Sequence, residues 1–343
     1  MKSPFPWFGG KSRVSADVWN RFGDVANYVE PFFGSGAVLL NRPIAAGVET
    51  INDKDRFVAN FWRALQAEPD TVAKWCDWPV NEADLHARHL WLVTDGKTTL
   101  ERVQTEPEFF NAKIAGWWCW GLCQWIGGGW CLGKSSYGQP FADGRLAHER
   151  LPHLGDAGRG VHRPSQKLPH LGDAGSGVHR PSQKLPHLGN AGRGDVYDYM
   201  HALADRLRRV RVCCGDWSRV CGPTPTDGLG LCGVFLDPPY PTEADRDMNL
   251  YTEECGSVAH EAAAWAIDAG ERKTMRIAFC GYEGSHTFPD SWECLAWKAA
   301  GGYASQRAAQ DEVNSARERI WFSPHCLKVD RMKYRDLFGE EDE

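Results

Sequence analysis

The first seventy residues alternate between short apolar runs and longer segments with apolar positions at helical spacing. The pattern predicts strands at residues 26–30 and 48–53, and helices at residues 35–47 and 55–69, with Pro69 marking the end of the second helix. The order strand, helix, strand, helix is typical of a parallel sheet whose strands are joined by helices.

The same alternation returns in the last third of the chain. An amphipathic helix is predicted first, followed by strands, a further helix and two more strands. These segments cover residues 195–210, 210–217, 231–240, 257–270, 275–282 and 317–324. We expect both α/β regions to contribute to one sheet, which makes the fold class α/β.

Residues 70–194 do not follow this alternation, and we interpret them as an insertion between residues 1–69 and 195–343. Its first part is rich in tryptophan, with five Trp residues between Gly116 and Cys131. A small hydrophobic core is our favoured interpretation of this cluster, and a platform on which nucleic-acid bases stack is the alternative.

The second part of the insertion, residues 151–194, is an internal repeat with a period of 17 residues. Two full copies differ only at Arg159 and Ser176, and a truncated third copy follows them. Two and a half copies rich in Gly and Pro cannot stack into a core of their own, so we expect an extended and exposed segment.

Composition limits the classes of function. The chain has 343 residues, 42% of them hydrophobic, and a net charge of -6, which argues against general binding of polyanions. Residues 145–211 are locally basic, with twelve Lys and Arg against six Asp and Glu. There is no signal-peptide pattern and no run of roughly 18 apolar residues, so we expect a cytoplasmic protein without a membrane span, from a prokaryote or a virus-infected cell.

Twelve cysteines are scattered along the chain without paired CxxC spacing. In a chain of this length the pattern favours reduced thiols over a disulfide framework. A structural zinc site built on Cys119, Cys123 and Cys131 is the alternative, but we predict no metal. The histidines at 153, 170 and 187 lie on separate copies of the repeat and do not form a ligand set.

Two predicted strand ends carry candidate chemistry. The segment EPFFGSG (30–36) places a glycine turn between a strand and a helix, where backbone N–H groups can receive a nucleotide-like ligand, and Asp53 at the next strand end suits ribose hydroxyls. The segment DPPY (237–240) offers a carboxylate, exposed carbonyls and a flat ring in a rigid turn. Such a turn suits a planar amine.

These segments, together with FPWFGGKSR (5–13) and CGDW (214–217), resemble the ordered motifs of Dam-like, α-group DNA adenine-N6 methyltransferases. The resemblance covers roughly residues 1–60 and 195–325. It implies a Rossmann-like methyltransferase sheet with helices on both faces, S-adenosylmethionine as cofactor and double-stranded DNA as partner. It also implies that residues 70–194 form the target-recognition region.

The resemblance assigns roles residue by residue. The catalytic pocket would consist of Asp237, Pro238, Pro239 and Tyr240, and the cofactor site would contain Trp7, Lys11, Glu30, Phe33, Gly34, Gly36, Asp53 and Asp216. Asp53 would hold the ribose and Asp216 the adenine amine of the cofactor. Alternatives remain: Lys11 as a solvated charge, Trp7 as a core aromatic, Asp53 as a helix N-cap, and Glu30 as an acceptor for backbone donors.

Contacts to DNA are expected from the basic side chains of the two full repeats, which are Arg159, Arg163, Lys167, Arg180 and Lys184. The alternative for this segment is a duplicated loop without a role. Two other functions stay open on sequence: a catalytically silent DNA-binding protein of the same fold, and a methyltransferase acting on cytosine N4 or on RNA. The recognition sequence and the oligomeric state cannot be read from the chain.

Overall fold

The structure is a computed structural model in which the two α/β regions form one mixed sheet. It describes residues 1–7, 9–43, 47–125, 130–131, 193–239, 257–297 and 317–329. Seven strands are present in this part of the chain: β1 Asn27–Glu30, β2 Val48–Asp53, β3 Val210–Cys214, β4 Cys232–Leu236, β5 Met275–Tyr282, β6 Glu293–Ala296 and β7 Glu318–Phe322.

The strand order is β3-β2-β1-β4-β5-β7-β6. The first five strands in this order pair in parallel, and β7 pairs antiparallel with both β5 and β6. The predicted single sheet is therefore confirmed. The prediction missed β6, because its four residues alternate between half-buried and exposed positions and carry no strong strand pattern.

Helices cover both faces of the sheet. Their bounds are α1 Ser15–Phe22, α2 Ala37–Leu40, α3 Arg56–Ala67, α4 Pro69–Cys76, α5 Glu82–Trp91, α6 Lys97–Thr99, α7 Arg102–Thr105, α8 Ala112–Gln124, α9 Arg193–Leu207, α10 Pro223–Asp227 and α11 Val258–Gly270. A π-helical segment, Leu92–Gly96, joins α5 to α6, and a 3₁₀ turn, Trp217–Val220, follows β3.

Each face of the sheet has its own hydrophobic core. On one face, α11 packs its small side chains against the apolar residues of β4 and β5. On the other face, α1 and α3 pack against the sheet, and α8 and α9 extend the same core outward. This two-sided arrangement confirms the Rossmann-like α/β class expected from the sequence.

The second helix is shorter than predicted. It ends at Leu40, whereas the pattern suggested a helix over residues 35–47. Pro43 explains the early end, because proline disfavours the helical conformation of the residue before it and lacks the N–H that a helix interior needs.

The tryptophan-rich segment contributes to the core, as we favoured from the sequence. Trp118, Trp120, Trp125 and Trp130 are buried in the same cluster as the helices that flank the sheet, and Trp117 is half-buried. Of the helices between residues 69 and 125, α4 packs onto α9 and α8 packs onto α3. The domain boundaries proposed from the sequence remain predictions.

The 17-residue repeats at 151–194 lie outside the described residues, apart from the start of α9 at Arg193. The structure therefore adds nothing on the predicted DNA contacts of Arg159, Arg163, Lys167, Arg180 and Lys184. Within the part of the chain that is described, no helix is both long enough and apolar enough to cross a membrane.

Candidate functional site

The strand order reverses between β1 and β4, and the site lies at this point. From β1 the chain passes to β2 and β3 on one side, whereas β4 and β5 lie on the other side. Loops leaving such a reversal diverge and leave a crevice at the carboxyl ends of the strands. Glu30 ends β1, Asp53 ends β2, Asp216 follows β3 and Asp237 follows β4, so the predicted carboxylates all lie along this edge.

The glycine turn after β1 depends on the absence of two side chains. Gly34 and Gly36 have φ angles of 49° and 72°, a region that favours glycine. A Cβ on Gly34 would collide with the indole of Trp7, and a Cβ on Gly36 would lie 2.6 Å from the ring of Phe33. Trp7 and Phe33, both predicted near the cofactor, therefore support the turn itself.

Hydrogen bonds hold the turn against the neighbouring elements. The N–H of Gly34 donates to Oδ2 of Asp53 over 2.9 Å, and the carbonyl of Gly34 accepts from the indole of Trp62 over 3.0 Å. Trp7 is half-buried and makes edge contacts with Phe5 and Trp118. Trp7 is part of an aromatic cluster, as the alternative interpretation held, and it also lies next to the turn that is predicted to hold the cofactor.

Asp53 is not the N-cap of α3, which corrects one alternative. Asp55 fills that role by accepting from the N–H of Phe57 over 2.7 Å, and Asp53 accepts from the N–H of Asp55 over 2.9 Å. Burial and the negative charge of Asp55 raise the pKa of Asp53 to about 7, although three backbone N–H groups oppose the rise. Asp53 stays partly exposed at the sheet edge, where a ligand can reach it.

Asp216 lies exposed beyond the end of β3. Its carboxylate caps the 3₁₀ turn by accepting from the backbone N–H and the hydroxyl of Ser218, over 3.0 and 2.5 Å. Each carboxylate oxygen has more than one acceptor site, so this capping leaves room for a donor from a ligand. The predicted contact with the cofactor adenine remains a prediction.

Asn52 was not singled out from the sequence, yet it ties three strand ends together. Its amide donates to the carbonyl of Pro31 beyond β1 and to the carbonyl of Gly215 beyond β3, each over 3.0 Å. The backbone carbonyl of Asn52 also accepts from the N–H of Phe33. This buried side chain sets the spacing between the loops that carry the glycine turn and Asp216.

The DPP turn after β4 meets the N-terminal segment through an ion pair. Nζ of Lys11 lies 3.0 Å from Oδ2 of Asp237 and donates to the carbonyl of Gly9 over 2.7 Å. Only 4% of the Lys11 side chain is exposed, against 22% for Asp237. Lys11 is therefore not a solvated charge, and the alternative reading for it was wrong.

The charges around this pair act in opposite directions. Burial opposes the charge of Lys11, but the carboxylates of Asp237 and Glu318 outweigh it and raise the pKa of Lys11 above its ordinary value, so the ammonium persists. Burial raises the pKa of Asp237, and Lys11 opposes that rise. The ammonium thus favours the charged form of a carboxylate that its surroundings would otherwise neutralise.

Glu30 is a second buried carboxylate beside the site. Its Oε2 accepts from the hydroxyl of Tyr28 over 2.8 Å. Burial raises the pKa of Glu30 well above its ordinary value; Tyr28 opposes the rise and the charge of Asp237 adds to it. Glu30 forms no ion pair with a described residue, and its backbone-acceptor reading fits the hydrogen bond that it receives from Leu39. Its place in the cofactor site remains a prediction.

Sequence reasoning missed the residues that β7 brings to the site. Glu318 begins β7 and pairs with Tyr282 across the antiparallel ladder, and Trp297 lies 5.5 Å from Nζ of Lys11. Nothing in the motifs pointed to these residues, because their proximity depends on the pairing of β7 with β5. Pro238 is buried and Pro239 half-buried, whereas Tyr240 lies outside the described residues.

The thiols do not form a metal centre among the residues that the structure describes. Cys119, Cys123 and Cys131 are buried and not in disulfides, and burial raises the pKa of Cys119 and Cys131 well above the ordinary value. No group of three or more His, Cys, Asp and Glu side chains in the described ranges is arranged to hold a metal ion.

Comparison with known proteins connects this geometry to a family. Residues 7–87, which include Trp7, Lys11, the glycine turn and Asp53, match the model of a family described as D12 class N6 adenine-specific DNA methyltransferase. No curated protein matches the chain. Over residues 7–87 the chain is thus similar to adenine-specific DNA methyltransferases, and this match, together with the Rossmann-like sheet, supports a Dam-like enzyme that methylates adenine in DNA.

Proposed function

We propose that the protein transfers a methyl group from S-adenosylmethionine to a flipped-out adenine at specific sites in double-stranded DNA. The observation that carries the proposal is the position of Asp237. Its carboxylate is held by Lys11 and partly exposed at the point where the strand order reverses, where a planar amine can approach it.

The residues at the carboxyl edge fit the proposed cofactor. The glycine turn has no room for a Cβ and brings bare backbone to the crevice, which suits a nucleoside ligand. Asp53 would accept from the ribose hydroxyls, Asp216 from the adenine amine, and Glu30 would face the methionine ammonium. S-adenosylmethionine supplies a methyl group that its sulfonium already activates.

The DPP turn would hold the acceptor base. Asp237 accepts one hydrogen bond from the adenine amine, and the carbonyl of Pro238 accepts the second, which draws the nitrogen lone pair out of conjugation with the ring. Tyr240, which lies outside the described residues, would stack on the base. Burial raises the pKa of Asp237, and Lys11 holds the carboxylate in place and opposes that rise, which favours the acceptor form.

Contacts to the phosphate backbone must offset the cost of flipping the base, which is a few kcal/mol. The basic stretch at residues 145–211 supplies charge for such contacts in a chain that is otherwise acidic. We assign this role to the basic side chains of the two full repeats, Arg159, Arg163, Lys167, Arg180 and Lys184.

The proposal is tested by mass spectrometry of nucleosides from unmethylated duplex DNA that has been incubated with the protein and S-adenosylmethionine. We expect N6-methyladenine. N4-methylcytosine, or methylation of RNA alone, would contradict the proposed substrate. Absence of any methylated base, despite measurable binding of cofactor and DNA, would contradict the proposed reaction.

Asp237→Ala tests the pocket. We expect methylation to fall by about 10³-fold, because the amine loses its acceptor, while the affinity for S-adenosylmethionine measured by calorimetry changes little. Asp227→Ala is the matched control, since Asp227 pairs with Arg272 on the surface. Persistent turnover by Asp237→Ala would mean that another group is the acceptor.

A further inference from the structure

Polar side chains from four adjacent strands lie on one face of the sheet beneath Lys11. Glu30 shares its face of β1 with Tyr28, and Asp237 shares the face of Phe235 on β4, because side chains alternate along a strand. Leu236 pairs with Phe279, so Asp237 lies beside Cys280. Tyr28, Phe235 and Cys280 all belong to the core on this face.

Glu318 completes the row from β7. It lies on the same face as Ile320 and Phe322, which belong to that core, and Ile320 pairs with Cys280 across the ladder. Glu318 is only 4% exposed. Its charge acts on both Lys11 and Cys280. Lys11 thus faces carboxylates from two strands, Asp237 on β4 and Glu318 on β7, and Glu30 on β1 lies on the far side of Asp237.

A buried ammonium requires a compensating negative charge at every stage of a reaction. If Asp237 were the only partner of Lys11, protonation of Asp237 would leave the ammonium uncompensated, so Asp237 could act only as a fixed anion. A second carboxylate beside Lys11 would compensate the ammonium while Asp237 is protonated. Glu30 is accounted for by its hydrogen bond from Tyr28, whereas Glu318 is directed at Lys11 by the row of strands.

We propose that Glu318 is a positioning residue that holds Lys11 and balances its charge, which allows Asp237 to take up and release a proton during methyl transfer. This inference rests on the proposed function for the identity of the reaction. As the adenine nitrogen forms its bond to the methyl carbon, the carbon–sulfur bond breaks and its electron pair stays on sulfur. The nitrogen becomes cationic, and one of its protons passes to an oxygen of Asp237.

In this step Asp237 becomes neutral and the pair of Lys11 with Glu318 carries the remaining charges. Release of the proton to water restores the starting state. Among the residues that the structure describes, Glu30 and Cys280 are the other titratable groups whose charges act on Asp237 or Lys11, and neither supplies a cation.

Glu318→Gln tests the proposal by a measurement that does not require turnover. The side-chain carboxyl carbon of Asp237 is followed by ¹³C NMR across pH, with Asp237→Asn for assignment. Without the negative charge of Glu318, the ammonium of Lys11 favours the charged form of Asp237 more strongly. We therefore expect the pKa of Asp237 to fall by about one pH unit. Glu283→Gln is the matched control, because Glu283 pairs with Arg319 instead.

Kinetics give the second readout. In Glu318→Gln we expect kcat to fall about tenfold, because Asp237 becomes a weaker base, and the acid limb of the kcat profile to move to lower pH with KM for both substrates unchanged. Glu318→Asp, which keeps the charge, should restore the NMR titration. If the Gln variant does not fold, Glu318→Ala, which also removes the charge, replaces it.

An unchanged titration of Asp237 in Glu318→Gln, or a titration in Glu318→Asp that is no closer to wild type than that of the Gln variant, would overturn the role of Glu318. A wild-type protein that transfers no methyl group, but shows the expected shift in Glu318→Gln, would contradict the proposed function and leave the charge-balancing role intact.

Discussion

Gly34 shows how one residue serves both the fold and the site. Its positive φ, the collision that a Cβ would make with Trp7, and its hydrogen bond to Asp53 all act at the same backbone position. A side chain here would push the turn away from Trp7 and from the end of β2. Trp7 and Asp53 therefore help to set the shape of the crevice, and they are also candidates for binding a ligand.

The raised pKa of Asp53 makes the stability of the protein depend on pH. Its pKa is about 7 in the folded protein and 3.8 ordinarily, so the folded state holds a proton that the unfolded state has lost. The contribution of Asp53 to stability must then fall as pH rises from about 4 to about 7. In Asp53→Asn this titration is absent, because the amide carries no ionisable proton.

We expect the free energy of unfolding of wild type, minus that of Asp53→Asn, to decrease over this pH range and to level off above it. Urea denaturation at a series of pH values measures the difference. The subtraction removes the titration of His89 and His286, whose pKa values burial lowers to about 4 and which shift stability in the opposite sense. A difference that is flat across the range would contradict the elevated pKa of Asp53.

At the scale of elements, the sheet edge and the helical layer are joined by specific close approaches. Asn52 links the loops after β1, β2 and β3, and α8 lies against α4 at Gly116. Asn52 is polar and Gly116 has no side chain, although the strand and helix patterns would allow an apolar side chain at both positions. Each of these contacts fixes the distance between the elements that it joins.

Gly116→Ala tests the contact between α4 and α8. Alanine normally stabilises a helix interior relative to glycine by about 1 kcal/mol. Here its Cβ would lie 2.9 Å from the carbonyl of Val72 and would collide with Trp75, so we expect a net destabilisation of about 1–2 kcal/mol. Gly228→Ala, at the end of α10 with φ of -81° and no atom closer than 3.6 Å, should change stability by less than about 0.5 kcal/mol.

Urea denaturation of wild type and both variants measures the two changes in the free energy of unfolding. A stabilised Gly116→Ala protein would show that α4 and α8 are not in close contact in solution.

At the scale of the whole molecule, charge is distributed unevenly along the chain. The chain carries a net charge of -6, yet residues 151–184 contain five Lys and Arg against two Asp. We expect deletion of residues 151–184 to weaken binding to duplex DNA and to reduce the slope of log affinity against log salt concentration by up to about 4, because up to five phosphate contacts are lost.

Filter binding or fluorescence anisotropy at several salt concentrations measures this slope. A second variant, with the five basic residues of that segment replaced by Gln, keeps the length and removes only the charge. Unchanged affinity and unchanged site preference in the deletion variant would defeat the assignment of the repeats to DNA binding.

The strands, the glycine turn and the DPP turn could be predicted because each has a local signal. Apolar runs, glycines and prolines restrict the backbone within a few residues of themselves. The same reasoning failed at β6, whose short alternating segment has no such signal, and at the helix predicted to extend beyond Leu40. The alternative that made Asp53 a helix N-cap was also wrong, because Asp55, two residues further on, performs that role and satisfies the same pattern.

The sequence by itself determined the α/β class, the order of the motifs, and the residue types placed at the carboxyl ends of β1, β2 and β4. Each of these follows from local periodicity and from the backbone demands of Gly and Pro. Only the tertiary structure decided that Lys11 is buried against Asp237, that Asn52 joins three strand ends, and that Glu318 lies on the same face of the sheet as Asp237. Those contacts join residues far apart in the chain, and their existence depends on strand order and register, which no local pattern encodes.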